Sequence, residues 1–309
     1  MNKFFKNFLT LVSILFNKLL KRPDFSEKKI FLQGKILENQ NLKKEKINDL
    51  GEIEFSVFSQ FGEDGIISWL SNQIPDIKKI FLEIGTQDYW ESNTRYLLKS
   101  QQWKGYIIEG SKEYFQKIKK QSIYWQNNLT AINEFITKEN VNEIIKNSVK
   151  ETNLGLFSLD IDGNDYWIWE KINKIDPVIV IVEFNSNFGF KEKITIPYNE
   201  KFERSKSHYS NLYWGSSLEA LKYLGQKKNY KFVCTNSSGN NAYFIKSSRF
   251  DDLKLNLDKN IYGSKFRESR DKNGKKNFLS GNEKIDEIME CKVICVESQK
   301  EAKLKDFIK

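Results

Sequence analysis

Residues 81–110 read FLEIGTQDYWESNTRYLLKSQQWKGYIIEG. The first strand begins slightly upstream: Lys79 to Ile84 is an apolar run that stops at Gly85, and Gly105 to Glu109 is a second such run. Short β-rich runs without polar alternation suit strands covered on both faces of a parallel sheet. The stretch 92–101 between them reads as a helix. Strand, helix and strand within about 30 residues make one βαβ unit.

The same alternation continues downstream. Residues 111–121 read as a helix, 128–132 as a weak strand and 138–150 as a helix. Residues 154–161 read as a strand, and a helix begins near Asn164. Val178 to Glu183 is the clearest strand, followed after a loop by a helix over 215–226 and strands at 230–235 and 242–245. Repeated βαβ units with right-handed crossovers predict an α/β fold, a Rossmann-like, doubly wound and mostly parallel sheet with a C-terminal antiparallel hairpin. The expected organisation is an N-terminal helix over 1–23, a Lys-rich linker over 24–54, the sheet domain over 55–250 and an extension over 251–309.

Bulk properties narrow the classes. The net charge of +9 comes from lysines spread along the chain, many beside Glu or Asn, which is the pattern of solvated faces. No basic, aromatic-interleaved motif occurs, so a nucleic-acid partner is not expected. Three cysteines without a CxxC pair argue against a disulfide framework and for a reducing, cytoplasmic setting. Residues 3–22 (KFFKNFLTLVSILFNKLLKR) form an amphipathic pattern too short in apolar residues to span a bilayer. Two readings stay open: a peripheral contact with the inner membrane face, or a helix packed on its own domain. Oligomeric state is not legible.

Ligands of open parallel sheets bind beyond the carboxyl ends of the strands. The residues there are Glu83 and Gly85, Glu109, Asn133, then Asp160, Asp162 and Asp165, then Glu183 and Asn185. Convergence of so many acids and amides on one rim points to a shared site, because burying carboxylates without a ligand is costly. An acid ending the second strand, Glu109, can accept both ribose hydroxyls of a nucleoside. Gly85 either admits a ligand closely or simply makes the strand-to-helix turn. The loop Gly85–Trp90 lacks the later glycines of a dinucleotide fingerprint. A ligand with an adenosine but no phosphate fits it better.

These residues resemble the FkbM-type S-adenosylmethionine-dependent methyltransferases. The family's acid-x-Gly loop, Ser-Asn-Thr, Gly-Trp-x-Gly turn and strand-two acid correspond to Glu83 and Gly85, Ser92-Asn93-Thr94, Trp103 with Gly105, and Glu109. Ser59-Gln60-Phe61-Gly62-Glu63-Asp64 is similar to its Ser-Gln-x-Gly-acid segment, and Leu159 to Asp165 to its fourth-strand segment. Tyr89 stands where a glycine is often found. The resemblance covers roughly residues 59–245. It implies S-adenosylmethionine as cofactor, with Gln60, Glu83, Gly85, Asn93, Glu109, Asn133 and Asp160 around it. It also implies O-methylation of a small-molecule or glycan acceptor, such as a sugar hydroxyl, in surface polysaccharide or secondary metabolite synthesis.

Deprotonation of the acceptor has two routes. Asp160, Asp162 and Glu183 can hold Mg²⁺, with Asp165 nearby. His208, the only histidine, can act as base with Asp160 and Asp162 as catalytic partners. Asp162 or Asp165 alternatively caps the helix that follows. The long, aromatic-rich segment Asn185–Trp214 reads as an acceptor lid. Two rival functions remain at this stage: a metal-dependent glycosyltransferase using Asp160-Ile161-Asp162, and a non-catalytic Rossmann-like binding protein.

Overall fold

The computed structural model describes residues 23–44, 47, 49–253 and 261–308. The expected helix over 3–22, and with it the membrane contact, lies outside the described residues. Among the described residues, no helix is long and apolar enough to cross a membrane.

In chain order the strands are β1 (Ile80–Ile84), β2 (Lys104–Ile108), β3 (Leu129–Ile132), β4 (Asn153–Leu159), β5 (Asp176–Glu183), β6 (Ile194–Thr195), β7 (Tyr230–Thr235), β8 (Asn241–Lys246), β9 (Lys292–Cys295) and β10 (Glu301–Lys303). The helices are α1 (Pro23–Asn41), α2 (Glu63–Gln73), α3 (Arg95–Ser100), α4 (Lys112–Lys120), α5 (Ser122–Gln126), α6 (Val141–Ser148), α7 (Asp165–Lys171), α8 (Arg204–Ser207), α9 (Leu218–Lys227) and α10 (Asn282–Asp286).

Seven strands form one sheet in the order β3-β2-β1-β4-β5-β8-β7. Strands β1 to β5 pair in parallel, and β8 runs antiparallel to both β5 and β7. This is the expected mostly parallel sheet with its antiparallel hairpin. The chain reverses its direction of travel across the sheet between β1 and β4, which makes that pair the topological switch point.

The run Val178–Val182 lacks alternation because both faces of β5 are covered. Val180 and Val182 pack with Leu82, Ile84 and Phe157 on one face. Ile179 and Ile181 pack with Phe81, Ile107 and Leu156 on the other. Each such side chain contributes about 1.5–3 kcal/mol by burial, so a polar replacement anywhere in Ile179–Val182 is costly on either face.

One expectation needs correction. The stretch 24–54 is not a linker: Pro23 opens α1, where its missing N–H costs nothing, and the 3₁₀ turn Leu50–Ile53 follows. Helix α1 is docked through polar contacts that a hydrophobic pattern does not reveal. Buried Glu38 accepts hydrogen bonds from Ser68 Oγ at 2.6 Å and Gln101 Nε2 at 2.7 Å, and Asn41 Nδ2 donates to the Ile53 carbonyl at 2.8 Å. The extension over 251–309 also folds back onto the domain. Strands β10, β9 and β6 form a separate antiparallel sheet over a core that includes Phe188, Ile194, Leu212, Ile288 and Val293.

Candidate functional site

Parallel ladders continue one residue past the strand ends. Gly85 N donates to the Ile108 carbonyl at 3.1 Å, Glu109 N to Ile132 at 3.0 Å, and Asp160 N to Ile84 at 3.1 Å. The residues after β1, β2 and β4 are thereby held side by side at the switch point. They open onto a cleft of about 1340 Å³, whose lining includes Gln60, Glu83, Gly85, Asn93, Glu109, Asp160, Asp162 and Glu183. The cleft is large enough for two ligands of ordinary size, since typical small-molecule pockets run to about 300–1,000 Å³.

Gly85 is fixed by its own chain. Its φ is +85°, and a Cβ there would stand 1.7 Å from the Asp160 carbonyl oxygen. The glycine therefore lets the β1 loop lie against the β4 loop, which forms the floor of the cleft. Tyr89, where the resembling family often has glycine, sits at φ +63°. That left-handed conformation is one glycine favours. Here it is held by full burial of the ring and by a 3.0 Å hydrogen bond between the Tyr89 hydroxyl and Thr94 Oγ1.

Glu83 has an unexpected set of partners. Its carboxylate accepts from Ser92 Oγ at 2.6 Å, Asn93 N at 3.0 Å, Thr94 N at 3.3 Å and Thr94 Oγ1. Those amides lie at the entry to α3, so a side chain of the protein itself occupies the place where phosphate usually docks. This also explains why α3 starts at Arg95 and not at residue 92 as the pattern predicts. Burial raises the Glu83 pKa against these hydrogen bonds. Asn93 Nδ2 in turn donates to Ser158 Oγ at 3.1 Å, tying the turn to β4.

Glu109 lines the cleft and is 7% exposed. One carboxylate oxygen accepts from Ser111 N at 2.7 Å. Burial raises its pKa, opposed by backbone N–H groups including that of Ser111. Asn133 does not line the cleft: its amide donates to the Glu109 carbonyl at 2.8 Å from behind, and Glu134, Phe135 and Ile136 line the wall instead.

The acids after β4 divide by role. Asp165 is fully buried and accepts from Ile161 N at 2.8 Å and Gly163 N at 2.9 Å, which closes the turn into α7. The capping reading fits neither Asp162 nor Asp165: the N-cap is Asn164, which makes no side-chain cap hydrogen bond, and Asp165 holds the turn before the helix. Asp160, Asp162 and Glu183 instead converge, with one carboxylate oxygen from each inside a 4.8 Å cluster. Glu183 is 7% exposed, and its Oε2 is buried without a hydrogen-bond partner. Burial, then the neighbouring carboxylates, raise the pKa of both Asp160 and Glu183 well above the usual range.

A cation that sequence reasoning left unassigned completes the cluster. Arg204 donates to Asp162 Oδ1 at 2.9 Å and to Glu268, donates to the Asn211 carbonyl at 3.1 Å, and stacks 4.5 Å over the Trp214 ring. Its burial is outweighed by Glu268, Glu183 and Asp162, which raise its pKa. No local motif signals this role, because its partners are 42 and 64 residues away.

His208 is not brought to the cleft. Its Nδ1 hydrogen-bonds Ser210 Oγ at 2.7 Å, its ring packs 4.3 Å from that of Tyr209, and burial lowers its pKa. The segment Asn185–Trp214 is folded, not a loose lid. Asn185 Nδ2 donates to the Leu212 and Trp214 carbonyls, both at 2.9 Å, and so pins the segment's two ends together.

No family model and no curated protein matches the chain. Among solved structures it is similar to a SAM dependent methyltransferase from Aquifex aeolicus, at 11% identity over 60% of this chain and 90% of that one, with a TM-score of 0.37. It is similar to the N-terminal domain of EvdMO1 with SAH bound, at 8% identity over 71% and 94%, with a TM-score of 0.38. A third is M. capricolum TrmK in complex with S-adenosyl-homocysteine, at 13% identity over 57% and 64%, with a TM-score of 0.32. Likenesses this distant assign no activity.

Proposed function

We propose that the cleft binds S-adenosylmethionine and transfers its methyl group to a hydroxyl of a sugar or related acceptor, as the resemblance to FkbM-type enzymes implies. The observation that carries this reading is the occupation of the α3 entry amides by Glu83. A pyrophosphate would compete with Glu83 for the Asn93 and Thr94 amides and would face the carboxylates of Glu109, Asp160 and Glu183 across the cleft. A cationic sulfonium attached to an adenosine suits the same surroundings. Glu109 is the residue for the ribose hydroxyls.

In the reaction the acceptor oxygen attacks the methyl carbon in line as the bond to sulfur breaks. The products are a methyl ether, S-adenosylhomocysteine and one proton. Holding the two reactants in line supplies much of the acceleration. The proton needs a base, and Asp160 and Glu183, which line the cleft, are placed for that role where His208 is not. The oxygen cluster and the unpartnered Glu183 Oε2 also fit a Mg²⁺ ion held by Asp160, Asp162 and Glu183. When bound, it would acidify the acceptor hydroxyl.

Calorimetric titration of the full chain with S-adenosylmethionine and, separately, with NAD tests the reading. Saturable binding of the former without the latter is expected. Binding of NAD, or of a nucleotide-sugar with Mn²⁺ and no binding of the methyl donor, overturns it.

A further inference from the structure

One wall of the cleft differs in charge from the acidic rim. The segment 261–270 contributes Ser264, Phe266, Arg267 and Glu268 to the lining and is anchored at both ends. Tyr262 N donates to Thr235 Oγ1 at 2.8 Å, Ser264 N to Ser186 Oγ at 2.9 Å, and Arg270 N to the Ser210 carbonyl at 3.2 Å. The Phe266 ring lies 4.5 Å from that of Phe61. Arg267, Lys276 and Lys284 all line the cleft from this side.

These three cations lack acidic partners. Lys284 is 5% exposed, and its ammonium donates only to the Ser264 and Phe266 carbonyls, at 3.0 and 3.3 Å. Arg267 Nε donates to the Phe278 carbonyl at 2.7 Å. Among the described residues none of the three forms an ion pair, and the acid beside them, Glu268, is already held by Arg204. Of the three only Lys284 is buried, Arg267 and Lys276 being exposed at the cleft mouth; burying its charge without a counter-charge is costly, and burial lowers the Lys284 pKa, with Glu268 opposing it. Arg204 reaches from Glu268 on this wall to Asp162 beside the reactive acids. A group bound here is therefore next to the place of methyl transfer.

We infer that this wall binds an oxyanion of the acceptor, a phosphate or a carboxylate, so that the acceptor is an anionic molecule and not a neutral sugar. The inference rests on the methyl-transfer reading for the word acceptor, but the wall's affinity for an oxyanion does not. Charge-assisted hydrogen bonds from one guanidinium and two ammonium groups supply both strength and orientation.

The test titrates inorganic phosphate and, separately, glucuronate into the full chain and into the Arg267→Glu/Lys276→Glu variant, whose substituted residues are both exposed. Saturable binding of one anion by the wild type, weakened roughly tenfold or more in the variant, is expected. The tighter anion identifies phosphate or carboxylate as the group. If neither anion saturates, or the variant binds as well as the wild type, the inference is overturned. S-adenosylmethionine is titrated into the same samples. A chain that binds phosphate but not the donor keeps the anion wall and loses methyl transfer. A chain that binds the donor and neither anion does the reverse.

Discussion

Gly85→Ala is the substitution whose cost the geometry fixes most tightly. An alanine Cβ would lie 1.7 Å from the Asp160 carbonyl oxygen and 2.7 Å from its carbon, whereas ordinary contact is about 3.5 Å. The loops after β1 and β4 must therefore separate by nearly ~2 Å where Asp160 N still donates to Ile84 at 3.1 Å. The left-handed backbone alone costs about 1–2 kcal/mol, overpacking about 1–3 kcal/mol, and a strained hydrogen bond about 1 kcal/mol. A total of roughly 3–6 kcal/mol follows from those three sources. Gly215→Ala is the control, because its φ is +64° and a Cβ there meets nothing within 4 Å; it should cost about 1–2 kcal/mol. Chemical denaturation followed by tryptophan fluorescence measures both. Equal losses in the two variants would refute the close approach of the β1 and β4 loops, and a stable Gly85→Ala chain with unchanged donor affinity would remove Gly85 from the cleft floor.

Tyr89→Gly sets two effects against each other. Glycine relieves about 1–2 kcal/mol of left-handed strain, but deleting a fully buried aromatic ring costs about 3–5 kcal/mol, so the variant should be less stable by roughly 1–4 kcal/mol; a gain in stability on denaturation would contradict this. Asp64 supplies a pH test. Burial, against hydrogen bonds from Phe58, Ser59 and Val57, pushes its pKa up from 3.8 to about 7. The native chain thus holds that proton more tightly than the unfolded chain. The resulting stability is full below pH ~4 and is lost as pH rises toward ~7, at up to ~1.4 kcal/mol per pH unit. Asp64→Asn should flatten the stability profile across that window, and an unchanged slope would show that Asp64 does not titrate there.

The sheet was legible because each of its strands is a local signal. Val178–Val182 declares burial on both faces by itself, and a terminal hairpin is expected wherever two strands follow one another closely. The acids at the strand ends followed from the topology rule, and the cleft gathers Glu83, Glu109, Asp160, Asp162 and Glu183 as that rule requires. What the sequence hid depends on distant pairing. Helix α1 docks through Glu38 and Asn41, polar residues that look like solvent-facing ones until Ser68, Gln101 and Ile53 are beside them. Strand β6 has two residues and is held by distant partners, β9 on one side and Ser216 on the other. Arg204 lies in the segment read as an acceptor lid, but its partners Asp162 and Glu268 are set only by the fold, and Lys284 joins from a segment whose sequence signature is ordinary charge. Histidine drew notice by its intrinsic pKa, yet its position packs His208 against Tyr209 and away from the cleft.

The central claim is that Glu109, at the end of β2, grips the ribose of a methyl donor in this cleft. Calorimetric titration of S-adenosylmethionine into the wild-type chain and into Glu109→Gln tests it most directly, since the amide can still accept from Ser111 N but gives up the charged acceptor. The account predicts donor binding by the wild type and roughly tenfold weaker binding by the variant, the value of one charge-assisted hydrogen bond, with unfolding unchanged. Equal affinities in the two chains, or no donor binding by the wild type, would contradict it.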